Sequence, residues 1–382
     1  MKKAKRLDSV KEYYFSRKLK EVSRMMNSGK PVINMGIGSP DIEPNPSVVK
    51  ALSTAMSHPR AHMYQSYQGL PELRKTISSF YKKHYDVNLN PDSEVLPLMG
   101  SKEGIMHLSM AFLNSGDEVL IPNPGYPTYS SVAGLMEAKT IFYDLKPSKN
   151  WQPDFEFLDY LDTSKVKIMW LNYPHMPTGT DVSVETFDKL ILWARQRDIL
   201  LINDNPYSFI LTEKPQSILS RPYAKEVAVE LNSLSKSFNM AGWRVGMMIG
   251  NEKVLTQALK VKSNIDSGML FGIQQGAIEA LNMTPDWFYE LNKVYKKRRE
   301  LMKNLIKKLG ARIEKEGVGL FLWARLPKGL NNSEAFIDKI LKEKNIFITP
   351  GTVFGSQGEG YIRFSLCVSE EKIKEAIKRF ES

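Results

Sequence analysis

Cysteine is nearly missing from this chain: Cys367 is the only one in 382 residues. That excludes an intrachain disulfide and any multi-cysteine metal site, and it suits a reducing cytoplasm. Long apolar runs are missing too. No stretch approaches the ~18 apolar residues that a membrane-spanning helix needs. The opening Met1-Lys2-Lys3-Ala4-Lys5-Arg6 is basic, but no apolar segment follows it, so no signal peptide is expected. Low-complexity tracts and internal repeats are absent. Nothing has the pattern of a helix-turn-helix, a zinc finger or an aromatic–basic RNA platform.

What remains is ordinary in bulk. The length fits one large domain plus a smaller one. Hydrophobic residues make up 42% and charged residues 25%, as in soluble globular proteins. The net charge is +11, but the positive residues are scattered. Their densest run, Lys296-Lys297-Arg298-Arg299, lies in a helical pattern and reads as an exposed face. The excess therefore points to a solvated surface with an electropositive cleft for anions, not to a nucleic-acid or membrane surface.

Short Val/Ile/Leu-rich runs alternate with amphipathic ones through the middle of the chain. The runs are Val95–Met99, Glu118–Ile121, Lys167–Asn172, Ile199–Ile202 and Val227–Leu231, with helical patterns at Lys102–Leu113 and Val184–Arg195. This is the pattern of buried, mainly parallel strands with helices on both faces. After about residue 285 the pattern changes. A charged helix over 285–309, the run Phe321-Leu322-Trp323-Ala324, a helix near 333–344, two short strands and a last helix from Glu370 predict an α+β unit. We expect a large domain over 47–284, and a small one made of 1–46 with 285–382.

In open α/β sheets ligands bind beyond the carboxyl ends of the strands, so the residues there are the candidates. Gly100-Ser101-Lys102-Glu103-Gly104 opens a helix, and free N–H groups at such a start attract phosphate. Asn123-Pro124-Gly125-Tyr126 is a stiff loop presenting a ring able to stack on a flat ligand. Asp204-Asn205-Pro206-Tyr207 places a carboxylate at a strand end, where it needs a cationic or proton-donating partner. Each of these alone is also an ordinary turn. Ser233-Leu234-Ser235-Lys236-Ser237 is more specific. A lysine directly after a buried strand is desolvated, and such an amine forms Schiff bases. Arg244, eight residues later, suits a phosphate. Arg363 lies in the apolar run Gly360–Ser365, where a guanidinium needs an anion, whether a substrate carboxylate or a structural partner.

Taken in order, these segments resemble the class I/II aminotransferases, pyridoxal-phosphate enzymes of fold type I. The resemblance runs from about Tyr13 to the end. Tyr64 followed by Gly69-Leu70-Pro71-Glu72-Leu73-Arg74 adds to it, and Lys262–Gly268 is similar to the aspartate/diaminopimelate branch. The resemblance implies an α/β fold with a mainly parallel seven-stranded sheet between helices, plus a smaller α+β domain. It implies pyridoxal 5'-phosphate as cofactor and a homodimer with shared sites. Lys236 would form the Schiff base and shuttle the proton. Asp204 would pair with the pyridine nitrogen, Tyr207 would donate to the ring oxygen, and Tyr126 would stack on the ring. Asn172 is expected beside the cofactor. Gly100, Ser101, Lys102, Ser233 and Arg244 would hold the phosphate, with Tyr64, and in the same way Ser267, reaching the neighbouring subunit's phosphate. Gly38 and Arg363 would take the substrate α-carboxylate. The implied activity is ping-pong transfer of an amino group between an L-amino acid and a 2-oxo acid. A carbon–sulfur lyase or other pyridoxal-phosphate chemistry on the same scaffold is the alternative, and a non-catalytic ligand-binding regulator is a further one.

One position departs from the family. In Asn172-Tyr173-Pro174-His175-Met176-Pro177-Thr178-Gly179, Met176 stands where the family has an asparagine that donates to the ring oxygen. A thioether donates no hydrogen bond. The Schiff-base pKa is therefore expected to be raised, with His175 or Asn172 either compensating or serving structure.

Overall fold

The computed structural model describes residues 1–8 and 14–381; Tyr13, where the family resemblance begins, lies outside them. Its strands are β1 (Ile33–Asn34), β2 (Val95–Leu98), β3 (Glu118–Asn123), β4 (Lys139–Asp144), β5 (Val166–Leu171), β6 (Leu200–Asp204), β7 (Ala228–Ser233), β8 (Gly246–Gly250), β9 (Phe321–Arg325), β10 (Ile346–Phe347), β11 (Thr349–Pro350) and β12 (Tyr361–Ser365). Seven of them form one sheet in the order β2-β8-β7-β6-β5-β3-β4. β8 runs antiparallel to both its neighbours, while β7, β6, β5, β3 and β4 pair in parallel.

The runs Val95–Met99, Glu118–Ile121, Lys167–Asn172, Ile199–Ile202 and Val227–Leu231 all become strands of this sheet, β2 at one edge and the others inside it, because a strand covered on both faces has apolar side chains on both. The sequence pattern did not mark β4 and β8. β4, Lys-Thr-Ile-Phe-Tyr-Asp, is a sheet edge with only Tyr143 buried. β8, Gly-Met-Met-Ile-Gly, is fully buried but built of methionine and glycine, which carry little strand preference.

Two apolar layers sandwich this sheet. One contains Leu98, Ile105, Trp170, Ile202 and Leu231. The other contains Tyr81, Met169, Leu201, Ala228 and Met247, and runs on into the carboxyl-terminal elements. There the helix Pro285–Lys308 packs on the last helix, Glu370–Lys378, and β9, β12 and β11 form a separate three-stranded antiparallel sheet. The amino-terminal segment joins this part: β1 pairs with β10, Ile33 opposite Ile346. Arg298 grips Asp41 at 2.6 and 2.9 Å, and Lys18 meets Asp338 at 2.6 Å.

The topology brings the functional segments to one edge. β8 is antiparallel, so its first residue, Gly246, pairs with Leu98 and Ser233 at the carboxyl ends of β2 and β7. Residues 244–245 therefore sit beside the turns that follow the parallel strands.

Candidate active site

A cavity of about 270 Å³ opens at this edge. Its wall includes Ser101, Lys102, Tyr126, Asn172, Asp204, Tyr207, Ser233, Lys236, Arg244, Arg363 and Gly38, together with Met176. Residues from five strand ends and from both halves of the chain thus converge on one cavity.

At one end is an anion cup. The helix Ser101–Phe112 starts at Gly100, which has φ +90° and no side-chain cap, so the first N–H groups face the cavity mouth. A Cβ at Gly100 would lie 2.1 Å from Arg244 Nη2, so the backbone and the guanidinium meet only because residue 100 is glycine. Arg244 itself has φ +56° and donates to Ala241 O at 3.0 Å, which aims its other nitrogens at the turn. Ser233 caps the Lys236 turn by accepting from Ser235 N at 3.1 Å and bonds the Ser235 hydroxyl at 2.8 Å.

At the opposite end is Asp204. Tyr129 donates to its Oδ2 at 2.9 Å, and Tyr129 is stacked on Trp170 with ring centres 4.7 Å apart. Asp204 Oδ1 is buried without a hydrogen-bond partner among the described residues, which leaves one oxygen for a ligand donor. Burial pushes this carboxyl up to about 6. Lys236 lies between the two ends. Its pKa is lowered by burial, and the nearby Arg363 and Arg244 charges act in the same direction. Its Nζ donates to Gly38 O at 2.5 Å. Burial pushes the Tyr207 hydroxyl above the usual phenol range, so it is a donor at all ordinary pH. The Cys367 thiol, two residues past β12, lies within electrostatic reach of Lys236 and is pushed by burial up to about 11.

The third wall is aromatic. Arg363 Nη2 donates to Gly36 O at 2.6 Å, and its guanidinium lies 4.0 Å from the Phe321 ring centre and 4.6 Å from that of Phe354. Met176 Sδ is 3.3 Å from Arg363 Nη1. A Cβ on Gly38 would come within 2.3 Å of Phe321, so glycine there allows Phe321 to lie flat on the arginine.

Several expectations are refined. Asn172 lines the cavity, but its amide is committed at both ends: Nδ2 donates to Asp204 O at 2.6 Å and Oδ1 accepts from Met176 N at 3.0 Å. It braces the loop against β6. His175 bonds Thr178 Oγ1 at 2.8 Å, and burial lowers its pKa to about 3, so it stays neutral. It is not part of the cavity wall. Tyr64 is 90% exposed and outside the cavity. Its neighbour Gln65 packs on Gly268, where a Cβ would lie 2.5 Å from Gln65 O, so the segments carrying Tyr64 and Ser267 form one surface. Tyr129 and Phe321 were not singled out from sequence. Tyr129 follows Tyr126 by one helical turn, which is a usable signal; Phe321 lies in a run that looked only like a core strand.

The fold and cavity are those of an α/β transferase of fold type I. The structure superposes on substrate-bound BacF from Bacillus subtilis with a TM-score of 0.95, at 33% identity, covering 100% of this chain and 97% of that one. Aspartate aminotransferase from Thermotoga maritima gives 0.90 at 27% identity, over 99% of each chain. LL-diaminopimelate aminotransferase from Aquifex aeolicus is 38% identical over 379 residues, 99% of this chain and 98% of its own. The model of the aminotransferase class I and II family matches residues 30–380, and the chain belongs to that family.

Proposed function

We propose that this aminotransferase holds pyridoxal 5'-phosphate in the cavity and moves an amino group between an L-amino acid and a 2-oxo acid in ping-pong fashion. The observation that carries the cofactor assignment is the unpartnered Asp204 Oδ1, one Lys236 away from the Gly100–Arg244 anion cup. A phosphate fits the cup and a protonated ring nitrogen fits the carboxylate. The bound cofactor supplies an electron sink that weakens the bonds at the substrate Cα.

The chain's own groups do the rest. Lys236 would hold the cofactor through its amine, and its lowered pKa would leave Nζ able to take and return a proton at the substrate. Tyr207 would donate to the cofactor and Tyr126 would pack against it, since both line the cavity. Arg363, held on Gly36 O and between aromatic rings, orients the α-carboxylate. In this reading 47–284 is the cofactor domain, and 1–46 with 285–382 is the small domain that brings Arg363 and Gly38. The exposed Tyr64 serves the neighbouring subunit of a homodimer. Among the described residues no helix is long and apolar enough to cross a membrane, and we place the enzyme in the cytoplasm.

The test is the absorbance spectrum of the purified protein, before and after an amino donor, with Lys236→Ala alongside. Glutamate and LL-diaminopimelate are the first donors to try, the second because several relatives carry that name. A visible band that a donor bleaches, with the matching 2-oxo acid released only once per site until an acceptor is added, is the expected result. Release of sulfide or ammonia without an acceptor would instead mark a lyase. No uptake of the cofactor would overturn the assignment.

A further inference from the structure

Behind Asp204, on the other face of the sheet, lies a second buried acid that the reading above does not use. Glu230 is fully buried in β7, opposite Asn203 in β6, and Asp204 is the next residue. Three hydrogen bonds to it come from donors whose direction is fixed, and the Ser217 and Asn205 side chains also lie at it. Asn203 Oδ1 accepts from Tyr173 N at 3.0 Å, so its Nδ2 faces Glu230 Oε2 at 3.1 Å. Ile218 N–H adds a bond at 3.2 Å. Asn232 Oδ1 accepts from Ser233 N at 2.7 Å, so its Nδ2 donates to Tyr81 Oη at 3.0 Å, and Tyr81 gives its own hydrogen to Glu230 Oε1 at 2.9 Å. These three donors offset part of the cost of burying a carboxylate.

We infer that Glu230 is an ionised positioning residue that acts through Asp204, keeping that end of the site negative so that a cationic ring nitrogen is held there; the inference rests on the proposed cofactor. The ionisable groups facing it are Tyr81 and Tyr85 from the helix Pro71–Tyr85 and Asp204 from β6; the turn at Ile218–Ser220 offers only neutral groups. Burial raises the Glu230 carboxyl above its ordinary value by more than its donors lower it, while Glu230 in turn raises Asp204. The sign follows: with Glu230 neutralised, Asp204 ionises more readily, and a ring proton beside it is held less strongly.

Glu230→Gln tests this, because it keeps the size and removes the charge. In apo protein, carbon-13 NMR of the aspartate carboxyls, with Asp204→Asn for assignment, should show the Asp204 midpoint moving down by about one pH unit. In the holoenzyme, the upper pH at which pyridoxal 5'-phosphate affinity declines should also move down. Tyr81→Phe, which removes one donor without adding bulk, should move both in the same direction by less. Unmoved midpoints in a Gln variant that only melts earlier would reduce Glu230 to a structural residue and overturn the inference. Should Gln fail to fold, an unmoved Tyr81→Phe profile does the same. If the Asp204 midpoint shifts but the parent protein takes up no cofactor, the coupling stands and the proposed function falls.

Discussion

Two parts of the cavity wall, taken in the proposed reading as a cofactor end (anion cup, Lys236 and Asp204) and a carboxylate end, are built on different plans. The cofactor end draws on residues at or near the strand ends of one sheet: Gly100, Ser101, Asp204, Ser233, Lys236 and Arg244. Each is placed by backbone conformation, such as the bare helix start at Ser101 and the positive φ of Gly100 and Arg244. The carboxylate end draws on residues hundreds of positions apart, Gly38, Met176, Phe321 and Arg363, placed by side-chain packing. The first end tolerates little change in main chain; the second tolerates changes of side chain that keep the arginine fixed. The departure from the family pattern, Met176, falls at the second end.

The largest expected effect comes from the substrate side. Arg363→Leu should lower kcat/KM for any α-carboxylate substrate by roughly 10²–10³-fold, since truncating one partner of a buried charge pair costs about 2–5 kcal/mol. The cofactor spectrum should stay as in the parent; a lost spectrum would mean the two ends are not separable. Next is the pH dependence of Asp204. Its folded midpoint of about 6 lies above the ordinary 3.8, so the folded chain binds this proton more tightly than the unfolded one. The resulting stability is complete below the ordinary value and is lost as pH rises through about 6. Over that window apo protein should lose on the order of 3 kcal/mol relative to Asp204→Asn, read by denaturant titration.

Gly100→Ala should strike the cofactor end alone. A positive φ and the clash with Arg244 together cost about 1–3 kcal/mol, weakening cofactor affinity about 10- to 100-fold. KM for substrate on the loaded enzyme should change little, and a large KM change would blur the comparison. The smallest effect belongs to Met176→Asn. An added donor near the ring oxygen should lower the pH at which the bound cofactor's visible band titrates by about one unit, with the fold unaffected. A band that does not move would show that residue 176 serves Arg363 and not the ring.

The same division decides what was legible in the sequence. Lys236 and Asp204 were visible because polar residues at or just after apolar strands stand out once the segments are taken in order. β8 was not, because methionine and glycine give no periodicity; its burial comes from neighbours supplied by β2 and β7. Phe321 looked like core and is core, yet one face of its ring carries the substrate-side arginine. Glu230 sits in Ala-Val-Glu-Leu-Asn-Ser, where only the partners from three other elements reveal why a charge is tolerated. Tyr64 read as a cofactor ligand and is a surface residue in the single chain, since what it serves lies in another molecule under the proposed dimer.

The solitary Cys367 has a practical consequence. It is 8% exposed, close to Lys236, and its thiol is held protonated by burial. A maleimide added to the native protein should label it only when the carboxyl-terminal sheet lifts from the cavity. With no other sulfhydryl in the chain, the alkylation rate is a background-free clock for that opening, and the clock should slow when cofactor and a slowly reacting carboxylate are present together.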